Sequence, residues 1–346
     1  MDKQFMYELL ETASVSGNEM ELEEKIFRKM NECKGLSVTV DEIGNVVAAI
    51  NENNPLKVLL TGHADEIGLM ISNYTSQGML KVVKQGGIYP SCYLGQKVRI
   101  HTQNGIVYGA VVTSRSLCKK DGLSDKDITI DIGANTKEEA MKVVALGDTV
   151  TYDTDHRELL NGNITGRALD DRIGAFIVME AVKKAQELGC EVGAYAAATT
   201  GEETTKNGAY FVSSRIQPTM AIAVDVTWAN DCPETENETG TVELGKGPVL
   251  CNNPSIHKKL NQWLIDAAKS ANIPIQTEAA SGHTYTDGDD IHKSGKGVPF
   301  ALVSIPLRYM HTPAEVGNLK DIENCIDLLA EFLHQLTSES DLHYFK

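Results

Sequence analysis

The apolar pattern changes character twice along this chain, and that double change constrains the fold more than composition does. After Gly166 the sequence alternates between short apolar runs and amphipathic stretches. Helices are expected from Asp171 to about Leu188, Asn207 to Ile216, about Ser255 to Ala271 and about Leu319 to Leu336. Strands are expected from Val192 to Thr199, Met220 to Val226 and Phe300 to Ile305. Apolar strands alternating with helices are buried on both faces, as in a largely parallel sheet covered by helices. The opening residues fit the same layers. They read as helices from Lys3 to about Ala13 and Glu19 to about Cys33, followed by strands over Ser37–Asp41, Asn45–Ile50 and Lys57–Gly62.

Between about Gly68 and Asn163 the helical period nearly vanishes. Short strands at Met79–Val83, Lys97–Thr102, Ile106–Thr113, Asp127–Ile132 and Asp148–Tyr152 are separated by Gly and Asn turns, with one short helix around Thr136–Val143. Such spacing predicts a small barrel or sandwich. The expected architecture is an α/β domain from residues 1–67 and 164–346, with a mixed, largely parallel sheet flanked by helices. A β-rich, barrel-like domain over residues 68–163 interrupts it.

Composition narrows the work such a fold can do. The formal net charge of −16 repels phosphate backbones and anionic lipid, so neither nucleic acid nor a membrane is an expected partner. No apolar run approaches the roughly 20 residues that span a bilayer. Met1-Asp2-Lys3-Gln4-Phe5 lacks the basic and then apolar plan of a signal peptide, so a cytoplasmic location is expected. The seven cysteines form no CxxC pair and read as small buried hydrophobes rather than disulfides or thiolate ligands.

Five segments concentrate His, Asp and Glu at strand ends or helix starts, where open α/β sheets place their sites. In Gly62-His63-Ala64-Asp65, alternate residues share a strand face, so Asp65 is placed to accept the second N–H of a metal-bound His63; a polar strand end has the same look. In Leu169-Asp170-Asp171-Arg172, one carboxylate can bridge metals while the other is held by a cation, although an Asp before an apolar helix is also an ordinary N-cap. Glu202 and Glu203 emerge from a buried, Ala-rich strand, where charge is costly unless paired or metal-bound. Adjacent residues point differently, so one can ligate while its neighbour serves as general base. Asp225 ends a run of small and β-branched residues and reads equally as a ligand or a structural carboxylate. His311 precedes a Pro-broken turn and gains weight only from this company. The phosphate-loop, dinucleotide, GxSxG and HExxH signatures are all absent.

The ordered set GHADEIG, RALDDRIGAF, TTGEE, IAVDV and RYMHTPAEV resembles the M42 family of metallo-aminopeptidases, and the likeness spans essentially the whole chain. That family includes the glutamyl, leucyl and deblocking aminopeptidases of large tetrahedral particles. The resemblance implies that His63 and Asp225 bind one divalent metal ion, Glu203 and His311 a second, and Asp170 both. It implies that Glu202 is the general base and that Asp65 orients His63. It also implies Zn or Co, with Mn as a further option, and short peptides as substrates. The insert would be a dimerisation domain, giving homo-oligomers that are dimers or a tetrahedral dodecamer.

The chain departs from the family's Gly-Gly-Thr-Asp stretch with Ser281-Gly282-His283-Thr284-Tyr285-Thr286-Asp287. Here His283 and Tyr285 stand where small residues are usual, and His283 and Asp287 become candidates for substrate binding. Two further readings remain at this point. One is a glycoside hydrolase pairing Glu202 with Asp65. The other is a non-catalytic oligomeric binding protein that keeps the fold.

Overall fold

The computed structural model describes residues 1–233, 235 and 238–345. Among these, the main sheet has eight strands in the order Ser37–Val40, Val46–Ile50, Gly193–Thr199, Lys57–His63, Met220–Trp228, Phe300–Leu307, Val249–Asn252 and Gln276–Ala279. The strands from Gly193–Thr199 through Phe300–Leu307 are mutually parallel, and antiparallel pairs flank them on both sides. The architecture is thus the mixed, largely parallel α/β layer that the apolar alternation predicts.

The central strands are buried along their length because helices cover both faces. Helix Leu169–Glu187 is enclosed on nearly every side, packed between the sheet and helix Leu319–Gln335. Leu59, Leu60, Phe176, Phe300 and Phe332 are all fully buried in this core. Each contributes roughly 1.5–3 kcal/mol by leaving water. The helix reaches the sheet closely at one point: a Cβ on Gly62 would stand 2.3 Å from the Gly174 carbonyl carbon. Two glycines therefore bring the first turn of the helix against the end of strand Lys57–His63.

The inserted segment closes into a barrel of six strands: Gly68–Tyr74, Leu80–Gln85, Thr129–Asp131, Gly105–Val111, Lys97–Thr102 and Thr149–Tyr152, the last pairing back to the first. It carries its own core, with Leu69, Ile71, Leu80, Val98, Ile100, Ile130 and Val150. The chain returns to the main body through Arg157–Glu158, which pairs with Asn163–Gly166 and, through it, with Glu315–Asn318.

Several sequence expectations need correction. Strand Gly68–Tyr74, missed in the sequence, has a register shift between Ile71 and Asn73 that breaks its alternation. Strands Val249–Asn252 and Gln276–Ala279 are too short to show a period. The helix expected from Ser255 starts at Lys258 behind a His257 cap. All seven cysteines are free, but only Cys190, Cys251 and Cys325 are buried; Cys118 is exposed on a one-turn helix of the barrel. No helix among the described residues is long and apolar enough to cross a membrane.

Candidate metal centre

The five singled-out segments converge at the carboxyl ends of the four parallel strands. His63 is the last residue of Lys57–His63, and Glu202 and Glu203 follow Gly193–Thr199. Asp225 lies in Met220–Trp228, and His311 follows Phe300–Leu307. Asp170 comes from the start of helix Leu169–Glu187, in front of the true first turn. Its dihedrals and those of Asp171 are not helical. Asp171 instead plays the cap: its Oδ1 accepts the Gly174 N–H at 3.1 Å and its Oδ2 accepts the His63 N–H at 3.1 Å.

Asp170 stands between the two imidazoles. Its Oδ1 is 3.2 Å from His63 Nε2 and its Oδ2 is 3.2 Å from His311 Nε2. Glu203 Oε1 lies 3.5 Å from the same His311 nitrogen. His63, Asp170 and Glu203 offer ligand atoms within 4.8 Å of one another, as do His63, Asp171 and Asp225. Each Asp171 oxygen already accepts one N–H group, which gives this carboxylate a structural task at the helix start. Burial pushes the Asp225 carboxyl up to about 7. Burial opposes charge on His311, but hydrogen bonds to Asp170 and Glu203 outweigh it and hold that imidazole up to about 11.

The donor set fits divalent cations. His311 Nδ1 faces the Gly87 carbonyl at 2.9 Å, and His63 Nδ1 faces the Asp65 carbonyl at 3.0 Å. A carbonyl only accepts, so both Nδ1 atoms carry hydrogen, and each Nε2, turned into the carboxylate cluster, is the nitrogen that would ligate a metal once it gives up its own proton. So many buried carboxylates are otherwise expensive. Asp65 is fully buried: its Oδ1 and Oδ2 accept the N–H groups of Glu202 at 2.9 Å and Glu203 at 3.1 Å, with Oδ1 also 3.3 Å from His63 Nδ1.

Some supports were not legible in sequence. Glu315, which is 1% exposed, accepts the His311 N–H at 2.8 Å and the Asp170 N–H at 3.2 Å, so one carboxylate fixes two candidate ligands. Gly87 reaches the site from the barrel, and a Cβ there would meet the His311 ring at 2.9 Å. The cation beside Asp171 does not hold it, contrary to the sequence reading. Arg172 instead pairs with Glu66 and donates to the Leu9 and Leu10 carbonyls at 3.0 and 2.8 Å. Arg167 joins the same buried Glu66, which burial would raise but the two arginines hold below the ordinary carboxylate range.

The centre opens on a cavity of about 380 Å³. Asp170, Glu202, Glu203 and Asp225 line it, with Lys206, Trp228, Thr284, Tyr285 and Thr286 around them. His283 does not line it; its exposed ring faces Asp289 at 3.5 Å. Asp287 is buried, accepts the Thr199 hydroxyl at 2.5 Å and also lies outside the lining. A larger cleft of about 1000 Å³ lies between the N-terminal helices and the barrel, lined by Tyr7, Glu11, Lys25, Arg99 and His101. Among the described residues, the His, Asp and Glu groups that bring ligand atoms within 4.8 Å of one another lie at the smaller cavity and not at this cleft.

Comparison with known proteins places the chain in a family. The family model described as M42 glutamyl aminopeptidase matches residues 44–328. A lysyl aminopeptidase of Pyrococcus furiosus is 33% identical over 346 residues, covering 97% of this chain and 98% of that protein. The solved TET aminopeptidase of Thaumarchaeota archaeon SCGC AB-539-E09 superposes with a TM-score of 0.89 at 32% identity, covering 96% of each chain. A TET1 peptidase of Pyrococcus horikoshii, which can assemble into a tetrahedron or a large octahedral shell, has a TM-score of 0.86 at 28% identity, covering 96% of this chain and 99% of that one.

Proposed function

This chain belongs to the M42 glutamyl aminopeptidase family and is a peptidase, and on that premise we propose that it removes residues from the free N-termini of short peptides at a centre of two divalent metal ions. His63 and Asp225 would hold one ion, Glu203 and His311 the other, with Asp170 shared between them. Divalent ions in such a site polarise the scissile carbonyl and lower the pKa of water. Zn or Co suits the donors best, and Mn fits the same imidazoles and carboxylates.

The chain's own groups divide the remaining work. Glu202, beside the ligands but outside the ligand set, takes the proton of the attacking water and delivers it to the departing amine. Asp65 holds His63 and, through two backbone N–H groups, the Glu202–Glu203 pair. The carboxylate-rich wall favours the substrate's ammonium group. Of segment 281–287, Thr284, Tyr285 and Thr286 face the substrate, while Asp287 acts through Thr199 and His283 stays outside. Exposed Ile106, Tyr108, Met141, Val143 and Leu146 on the barrel support a homo-oligomer that uses the insert as its dimerisation surface.

The observation that carries this reading is Asp170, with one oxygen on each imidazole at 3.2 Å. The Glu202–Asp65 pair of a glycoside hydrolase does not form across this cavity, because Asp65 lies outside its lining and accepts the Glu202 and Glu203 N–H groups instead. The test is Glu202→Gln. The variant should keep its fold and metal content and lose roughly 10²–10⁴-fold in kcat; parent-like turnover would overturn the role of Glu202.

A further inference from the structure

We propose that Lys206 is a positioning residue for Glu202, holding one carboxylate oxygen so that the other faces the metal-type donors. This rests on the reading of Glu202 as the proton-transfer group. Glu202 Oε1 accepts from Lys206 Nζ, while Glu202 Oε2 lies 4.0 Å from His63 Nε2. The two oxygens of one carboxylate are thereby given different tasks. Among the described residues lining the cavity, Lys206 supplies the one ammonium or guanidinium group.

Both ends of this contact are built in. The Glu202 backbone is fixed because its N–H donates to Asp65 at 2.9 Å. The Lys206 backbone is fixed because its N–H donates to the Gly201 carbonyl at 2.7 Å. Lys206 also sits in the left-handed region, φ 56°, as the residue that opens helix Asn207–Ile216. A non-glycine residue held there marks a constrained position. The turn between Gly201 and Lys206 therefore aims the lysine back at the residue four places earlier. The Lys206 and Glu202 side chains are 26% and 7% exposed, so this pair is sheltered from the screening that weakens surface ion pairs. Asp225 and Asp287 add negative charge around the ammonium and hold it in the charged form against burial.

A carboxylate tied at one oxygen cannot swing away from the attacking water. Misplacing such a group by about 1 Å costs on the order of 10²-fold in rate. A lysine that instead bound the substrate's own carboxylate would act on KM, and a merely structural ion pair would move neither constant.

The experiment compares Lys206→Met, Lys206→Arg, Glu202→Gln and the Lys206→Met/Glu202→Gln double variant, all metal-loaded, on one aminoacyl anilide. Lys206→Met should lower kcat roughly 10- to 100-fold with KM within about threefold, and Lys206→Arg should recover most of the loss. The double variant should be no slower than Glu202→Gln. In chelator-treated protein, the melting shifts of the two single substitutions should be non-additive, as for groups in direct contact. An effect confined to KM, an unchanged kcat, or a double variant slowed by the full product of both factors would overturn the inference while leaving the Glu202 role intact. Parent-like turnover of Glu202→Gln would overturn both together.

Discussion

Gly62 stands one residue before His63, against the first turn of helix Leu169–Glu187, and a methyl group there has no free space. Its Cβ would lie 2.3 Å from the Gly174 carbonyl carbon and 2.5 Å from the Ala175 nitrogen, about 1 Å short of ordinary contact. Both collision partners are backbone atoms, so no side chain can rotate to relieve them. The helix must retreat from the strand, taking Asp170 and Asp171 with it. Overpacking typically costs 1–3 kcal/mol, and a backbone clash belongs at the upper end, about 3 kcal/mol. Retreat also stretches the 3.1 Å bond from the His63 N–H to Asp171. Displacing Asp170 by about 1 Å should lower kcat/KM on the order of 10²-fold. Gly62→Ala should therefore melt several degrees below the parent and turn over far more slowly. Gly317→Ala is the control, because its Cβ would meet only side-chain carbons at 3.6 and 3.8 Å. A Gly62→Ala protein with parent-like melting and kcat/KM within twofold would refute this reasoning.

Two other predictions follow from buried carboxylates. Glu315→Ala should leave the N–H groups of His311 and Asp170 without acceptors, destabilising the chain by about 2–6 kcal/mol and weakening metal binding roughly 10- to 100-fold; unchanged binding in a metal titration would contradict it. Burial, with Glu19, Asp41 and Asp65 nearby, pushes the Glu23 carboxyl up from 4.5 to about 8. The folded chain keeps that proton up to about pH 8, whereas the unfolded chain releases it near 4.5, so Glu23 lowers stability as pH rises between these values. Glu23→Gln should thus melt like the parent near pH 4.5 and higher than the parent above pH 8. An equal offset at both pH values would remove the explanation.

Much of this organisation was legible because buried parallel strands have to be apolar, and a charge at the end of one stands out. His63, Glu202, Glu203 and Asp225 were visible for that reason. The supports were harder to read because they act across sequence distance. Arg172 adjoins Asp171 in the chain, yet its guanidinium binds Glu66, 106 positions away. Gly87 holds His311 across 224 positions, from the segment that follows strand Leu80–Gln85, and no local pattern announces a backbone acceptor. Glu315 was part of a quoted motif, but its value lies in two backbone N–H groups that only the fold brings together. The Lys206 contact spans four residues, a helical spacing found here in a turn that periodicity does not describe.

The most direct test of a metal-dependent aminopeptidase is release of N-terminal residues from short peptides by purified protein, before and after chelation, with N-acetylated peptides alongside. The account predicts release from free N-termini only, its loss on chelation and its return when Zn or Co is added back. Chelator-resistant release, or equal cleavage of the acetylated peptides, would contradict it.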